Sequence, residues 1–170
     1  MTIRLLVATP DVTSLVLLRS VVNAARNLVC FSLEVAEVAY PTDLLDRVDR
    51  AADDVILLDW EMARTTTVDF VKTILDHNPK MRIIVLLPSS QRQYRQLVWE
   101  AGACNSIPKE YMEQEWLSSV LCVMVRSMQR EQKLRAELQC AFPTSHLLPM
   151  ADEPMSKPLA QSDQAPAVYL

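Results

Sequence analysis

Five short aliphatic runs, each followed by a pattern of helical period, constrain the fold of this 170-residue chain more than any other feature. The runs are "IRLLVA", "FSLEVAEVA", "VILLD", "RIIVLL" and "NSIPK", and they begin at positions 3, 31, 55, 82 and 105. Strands that alternate with helices form parallel sheets covered by helices on both faces. The sequence therefore predicts an α/β protein with five parallel strands and five helices. Sites in such sheets form at the carboxyl ends of the strands.

The chain has a single glycine, Gly102, and this scarcity excludes two common classes of nucleotide-binding protein. Dinucleotide-binding folds and P-loops need several glycines so that the backbone can approach phosphate. A net charge of -4 and a pI of about 5.2 disfavour a nucleic-acid binder that relies on bulk electrostatics. We therefore expect no nucleic-acid partner.

The apolar runs and the cysteines indicate the compartment. No run reaches the roughly 18 uninterrupted apolar residues of a membrane-spanning helix, and the amino terminus has the pattern of a first strand rather than of a signal peptide. The four cysteines (Cys30, Cys104, Cys122 and Cys140) form no C-x-x-C pair and have no nearby histidine in the sequence. We expect reduced thiols in a cytoplasmic protein, with neither a metal site nor a disulfide framework.

The chain divides into three predicted segments. Residues 1–130 contain the strands and helices, residues 131–142 extend the last helix, and residues 143–170 form a proline-rich tail that we predict to be disordered. Leu134 and Leu138 continue a thin apolar stripe along the extension. We expect the extension to contact a second copy of the chain or a protein partner.

The residues around Asp59 and Lys109 resemble a known family. "VILLDWEM" resembles the strand that carries the phospho-accepting aspartate in the receiver domains of two-component response regulators, and "EAGACNSIPK" resembles the segment that carries their pocket lysine. Asp59 falls on the phosphoacceptor and Lys109 on the lysine. The resemblance covers residues 3–130 and implies a flavodoxin-like (βα)5 fold, with a doubly wound five-stranded parallel sheet and, in this chain, an extended last helix.

The resemblance also implies a pair of acids after the first strand that would bind Mg²⁺, and this pair is substituted here. Its positions fall on Thr9 and Pro10, and a shift of the alignment by one residue would add only Asp11. An anionic carboxylate attacks a phosphoryl group only if the charge between them is neutralised. One carboxylate besides Asp59 is a poor cage for an ion that prefers six oxygens.

Two further parts of the family's switch are missing. The family has Thr or Ser at the end of the fourth strand and an aromatic residue three positions before the lysine, and these positions hold Leu87 and Ser106. In the family, these two side chains move together to report phosphorylation. The resemblance therefore implies a degenerate receiver that retains the fold without the switch.

We predict a pseudo-receiver that is not an enzyme, has no catalytic residues, binds no cofactor and acts in signalling or as a scaffold through protein contacts, independently of phosphorylation. Asp59 and Lys109 would form a fixed ion pair. The alternative is a phosphorylatable response regulator that accepts phosphoryl from a histidine kinase at Asp59 and requires Mg²⁺. A third possibility is a pocket refitted for a small ligand.

Four residues are candidates for partner contact, through the face formed by the fourth and last helices and through the helical extension. Trp60, beside the acid, is open to either a packing or a contact role. Tyr94 falls on the outward part of the fourth helix, and Leu134 and Leu138 lie on the extension. We expect Trp99, where the fourth helix is normally apolar, to pack in the core or at the sheet edge.

Overall fold

The computed structural model describes residues 1–141, with side chains through Gln139. Strands and helices alternate along the chain as predicted. The strands are β1 (Thr2–Ala8), β2 (Ser32–Val38), β3 (Val55–Asp59), β4 (Arg82–Leu87) and β5 (Asn105–Pro108). The α-helices are α1 (Val12–Arg26), α2 (Pro41–Asp49), α3 (Thr67–His77), α4 (Arg95–Glu100) and α5 (Gln114–Ala141).

The five strands form one parallel sheet in the order β2-β1-β3-β4-β5, which confirms the predicted doubly wound architecture. Successive residues of a strand face opposite sides of the sheet. Leu57 therefore belongs to the core layer that α1 and α5 cover, whereas Leu58 belongs to the layer under α2, α3 and α4. All five residues of β3 are buried, so packing on both faces of the strand fixes the position of Asp59, its last residue.

The fourth helical pattern is interrupted rather than continuous. Residues Ser89–Tyr94 form a 3₁₀ helix with a non-helical residue at Gln91, and only Arg95–Glu100 is α-helical. Val98 is the one buried residue of α4, and Trp99 is 46% exposed. Trp99 therefore does not pack in the core, one of its two predicted positions, because the short helix turns only the Val98 face inward. The Arg95 guanidinium lies 4.7 Å from the Trp99 ring centroid instead.

Gly102 closes the turn after α4 in a conformation that other residues avoid. Its φ is +106°, and a Cβ atom at this position would lie 2.5 Å from Cδ1 of Leu75. Glycine suits this position for two reasons: it tolerates the positive φ, and it has no Cβ atom to clash with Leu75.

The last helix continues well beyond the sheet, to Ala141. Its first half packs on the core through Leu117, Leu121 and Met124. Its second half begins with Met128, which packs against the same core, and is bound further along by Arg82, whose Nη2 donates to both carboxylate oxygens of Glu131 at 2.6 Å. The predicted proline-rich tail, residues 143–170, lies outside the described residues. Among residues 1–141, no helix combines the length and the hydropathy needed to cross a membrane.

Candidate functional site

The candidate site lies at the carboxyl edge of the sheet and is built around Asp59. Asp59 is the last residue of β3, between the ends of β1 and β4. Thr9 directly follows β1, Leu87 ends β4, and Lys109 directly follows β5. The parallel topology brings these residues to one edge although they are far apart in the sequence.

Both carboxylate oxygens of Asp59 accept hydrogen bonds, and the side chain is fully buried. Oδ2 accepts from Nζ of Lys109 at 2.6 Å and from the Thr9 hydroxyl at 2.7 Å. Oδ1 accepts from the backbone N–H of Glu61 at 3.2 Å, which also caps the short 3₁₀ helix after the strand. A buried charge is tolerated only when it is paired and hydrogen-bonded. Asp59 meets both conditions using residues of its own chain.

Lys109 reaches Asp59 from two strands away. Neighbouring strands are about 4.8 Å apart, so β5 lies about 10 Å from β3. The lysine side chain spans that distance over the end of β4, where Leu87 is buried and carries no polar side-chain group. The side chain of Lys109 is 19% exposed. The ion pair is therefore largely shielded from water and weakly screened by salt.

The direction of the Thr9 hydroxyl bond is fixed by a second contact. The same oxygen accepts the backbone N–H of Asp11 at 3.3 Å, which leaves the hydroxyl proton for Asp59. Thr9 is 2% exposed. The sequence analysis treated this residue only as a missing acid. In the structure it is a hydrogen-bond donor to the acid that remains.

Asp11 is directed toward helix α1 rather than toward Asp59. Its Oδ2 accepts the backbone N–H of Ser14 at 2.8 Å and also the Ser14 hydroxyl, so Asp11 is the N-cap of α1. The hydroxyl and the backbone N–H of Ser14 together lower the pKa of the Asp11 carboxyl. Pro10, between Thr9 and Asp11, has no side-chain oxygen to offer a metal.

The residues at the metal-binding positions therefore do not fit Mg²⁺. The ion prefers several anionic or carbonyl oxygens in octahedral geometry, whereas this edge presents a hydroxyl whose proton points at Asp59, a proline and a helix cap. Within residues 1–141, no three His, Cys, Asp or Glu side chains lie close enough together to bind a metal ion.

Ser106 lies on β5 and is 2% exposed. Its hydroxyl oxygen is buried and has no hydrogen-bond partner within the described residues. The sequence shows that an aromatic ring is missing at this position, but it does not show how the hydroxyl is bonded.

The structure corrects the partner-contact hypothesis for Trp60. The side chain is 3% exposed and belongs to the core layer under α2 to α4, so it is not available to a partner. Its ring centroid lies 4.8 Å from that of Tyr94, at an angle of 43°. Tyr94 is partly buried by this contact. The two loops that carry these residues follow the adjacent strands β3 and β4, and this adjacency was the available signal for the pair.

Leu134 and Leu138 are exposed, at 51% and 59%, as expected for contact residues. They do not continue the line of Leu117 and Leu121, however. At about 100° per residue they lie roughly a quarter turn away from that line. They share their face with Val123, which is 67% exposed and which the sequence analysis did not single out.

Comparison with known proteins identifies the family. The family model described as the response regulator receiver domain matches residues 16–121, more than half of the chain. The chain belongs to the response regulator receiver family. None of the curated proteins compared matches it.

Solved receiver structures share this fold. A beryllofluoride-activated DrrB receiver domain is 21% identical, with a TM-score of 0.59 over 74% of this chain and 99% of its own. The receiver domain of a putative LuxO repressor from Vibrio parahaemolyticus is 13% identical, with a TM-score of 0.66 over 79% of this chain and 98% of its own. NtrX from Brucella abortus is 14% identical, with a TM-score of 0.68 over 87% of this chain and 31% of its own. At these identities the likeness shows the fold alone.

In this receiver, Asp59 and Lys109 are in contact, whereas other residues replace the family's residues around them. The structure brings together Asp59, Lys109 and Thr9. Asp11 instead caps helix α1, and Leu87 lies beside the site without a polar side-chain group. The retained pair can hold a fixed negative charge at the end of β3, neutralised by one lysine.

Proposed function

We propose that this receiver is a pseudo-receiver without catalytic activity, which acts in two-component signalling or as a scaffold through protein contacts and independently of phosphorylation. The observation that carries the proposal is that one oxygen of Asp59 accepts both the Lys109 ammonium and the Thr9 hydroxyl. Attack on a phosphoryl group through this oxygen would have to break both bonds.

The charges around Asp59 support the same conclusion. Attack by a carboxylate on a phosphoryl group needs positive charge between the two anions. Among residues 1–141, Lys109 is the one cation bound to Asp59, and it already neutralises the carboxylate. Thr9, in the position of a metal ligand, adds no charge. We therefore propose that the site works without Mg²⁺ or another cofactor.

The residues at the two positions that report phosphorylation in the family support the proposal that this receiver stays in one conformational state. Leu87 has no hydroxyl that could bond a phosphoryl oxygen, and Ser106 has no ring to move. A chain with this site would present one constant surface to its partners.

The surface that we propose for partner contact is the apolar face of α5. Five residues lie within about 60° of each other around the helix, and they are Trp116, Val120, Val123, Leu134 and Leu138. A groove of about 510 Å³ runs beside Trp116, Val120 and Val123. Cys104 and Asn105 bound it near the free edge of β5. Val123, Leu134 and Leu138 are exposed, whereas Trp116 and Val120 are partly buried against the core. Exposed apolar side chains grouped on one side of a helix favour a protein contact. We propose a protein partner or a second copy of the chain, in the cytoplasm and without nucleic acid.

Mass measurement after exposure to a phosphodonor tests the main proposal. The full chain is incubated with acetyl phosphate at millimolar Mg²⁺ and analysed as intact protein, with Asp59→Asn as the matched control. We expect no added phosphoryl group in either protein. A gain of one phosphoryl group that is absent from Asp59→Asn would establish the alternative, a response regulator phosphorylated at Asp59. The retained contact between Asp59 and Lys109 is the observation that keeps this alternative open to test.

Light scattering after size exclusion tests the proposed surface. Replacement of Val123, Leu134 and Leu138 by lysine introduces charge on the exposed face without touching buried residues. If the chain pairs with itself, the measured mass should fall to that of a single chain. Replacement of Arg126, Gln129 and Arg130 by alanine changes other exposed positions of the same helix and should leave the mass unchanged.

A further inference from the structure

A cavity of about 310 Å³ opens between β5 and the segment that leads from β4 into α4. Leu87 and Ser106 form part of its wall, and Arg92, Arg95 and Tyr111 stand around it. Its volume is within the range of small-molecule sites. Neither Asp59 nor Lys109 lines it, so the cavity adjoins the candidate site through Leu87 and Ser106 without including the ion pair.

The hydroxyl of Ser106 is the strongest sign that the cavity binds something. The side chain is 2% exposed, and its oxygen has no hydrogen-bond partner within residues 1–141. A buried polar group without a partner is costly, and such groups are rare in folded proteins. A bound molecule that offers a donor or an acceptor would remove this cost.

The charge around the cavity is positive. Arg92 and Arg95 take part in no ion pair within the described residues. The guanidinium of Arg95 lies over the Trp99 ring, a contact that holds the group in place without neutralising it. The carboxylate of Glu110 also lies near the cavity, because it accepts the N–H of the lining residue Ser89 at 3.1 Å and its hydroxyl at 3.0 Å, so the two arginines exceed it by one positive charge. Two guanidinium groups are therefore free to bind an anion.

We propose that this cavity is a binding site for a small aromatic carboxylate. The planar guanidinium groups of Arg92 and Arg95 suit a carboxylate, which they can bind through paired hydrogen bonds. The aliphatic wall at Leu87 and Ile107 and the ring of Tyr111 suit an aromatic body. Ser106 bonds a polar atom of the ligand at the buried end. The site goes beyond the proposed pseudo-receiver function and does not depend on the state of Asp59.

Amide NMR spectra of the full chain test the site with phenylacetate as the ligand. We expect saturable shifts at Ser89, Arg95 and Ser106, with a Kd on the order of 1 mM. Acetate carries the carboxylate without the ring, and benzyl alcohol carries the ring without the charge. Each should bind at least about tenfold more weakly, because each lacks one of the two recognised features. Equal binding of acetate would mean an unspecific anion site and would overturn the proposal.

Variants separate the cavity from the rest of the surface. Arg92→Gln should weaken phenylacetate binding about tenfold, since it removes one charged donor. Ser106→Phe should block binding by filling the cavity; if that variant does not fold, Ser106→Ala should weaken binding several-fold through loss of the hydroxyl alone. Arg135→Gln, an exposed arginine on α5 away from this cavity, is the matched control and should bind normally. Unchanged binding in Arg92→Gln and in the Ser106 variant, or no saturable shift at all, would refute the site.

Discussion

The hydroxyl of Thr9 donates a hydrogen bond of 2.7 Å to the same oxygen of Asp59 that Lys109 holds at 2.6 Å. The residue that replaces a metal-binding acid of the family is thus a neutral partner of the acid that remains. Lys109 supplies charge and Thr9 supplies a proton, so the carboxylate is satisfied without an ion.

Restoring the acids at positions 9 and 10 should create a response to Mg²⁺. We expect Thr9→Asp with Pro10→Asp to lower the free energy of unfolding by about 3 kcal/mol or more, because carboxylates would then lie beside buried Asp59. Millimolar Mg²⁺ should recover part of this loss by binding the folded state. Thermal melting with and without Mg²⁺ measures both effects.

Thr9→Val is the control for that experiment. It removes the hydrogen bond without adding charge and should cost about 1 kcal/mol, with no response to Mg²⁺. A wild-type melting temperature that rises with millimolar Mg²⁺, by an amount that Asp59→Asn abolishes, would show that the present residues already bind the ion.

Removal of the lysine should destabilise the fold strongly. We expect Lys109→Met to lower the free energy of unfolding by about 3–5 kcal/mol, because it leaves the buried Asp59 carboxylate without its cation. The double variant with Asp59→Asn should recover most of that loss, because it removes the buried charge as well. Denaturant unfolding of the two single variants and the double variant gives the coupling energy. A coupling energy near zero would mean that the pair is not formed in solution.

The bond between Arg82 and Glu131 should hold the second half of α5 against the sheet. We expect Glu131→Ala to speed amide hydrogen exchange in α5 beyond residue 131, with a cost in overall stability of about 1 kcal/mol or less, since the pair is partly exposed. Glu137→Ala is the control, because Glu137 meets Lys133 only at 3.9 Å and both side chains are exposed. Equal exchange in the two variants would show that the anchor has no effect.

Stability should fall in acid partly through Asp54. Burial raises the pKa of the Asp54 carboxyl, but hydrogen bonds from the side chain and the backbone of Arg4 lower it by more, so it lies below its ordinary value of 3.8. The folded state therefore binds fewer protons than the unfolded state in this range. The stabilisation is present above the unfolded pKa and is lost as the pH falls through the folded one.

Asp54→Asn should therefore reduce the dependence of unfolding free energy on pH below about 4. Asp76→Asn, at an exposed carboxylate on α3 that forms no ion pair within residues 1–141, is the comparison and should keep the wild-type slope. Urea unfolding at several acidic pH values measures the slopes. Identical slopes in all three proteins would contradict the assignment to Asp54.

The sheet could be predicted because β3 and β4 are aliphatic on both faces, and strands of that kind are buried in parallel sheets. The contact between Asp59 and Lys109 followed from the placement of two strand ends. The role of Thr9 could not be derived, because spacing shows that an acid is missing but not which way a hydroxyl points. Trp99 was misplaced for a related reason. Helical period gives the buried face only when the helix is continuous, and here a 3₁₀ segment precedes a short α4.

Two further features were beyond prediction from the sequence: the Ser106 hydroxyl, which has no partner in the part of the chain that the structure describes, and the anchor of α5 at Arg82. Both depend on side chains from elements far apart in the chain, and no local pattern links them. Trp60 and Tyr94 are an intermediate case, because their strands are neighbours but the lengths of their loops decide whether the rings meet.

Asp59 is hydrogen-bonded by residues of its own chain, and we propose that it does not accept phosphoryl. The most direct measurement is a titration with Mg²⁺ and then beryllofluoride, in a background where Trp99 and Trp116 are replaced by Phe so that Trp60 beside Asp59 gives the emission. We predict no saturable change at millimolar Mg²⁺, with or without beryllofluoride. A saturable change that disappears in Asp59→Asn would contradict the pseudo-receiver and establish a working phosphoacceptor.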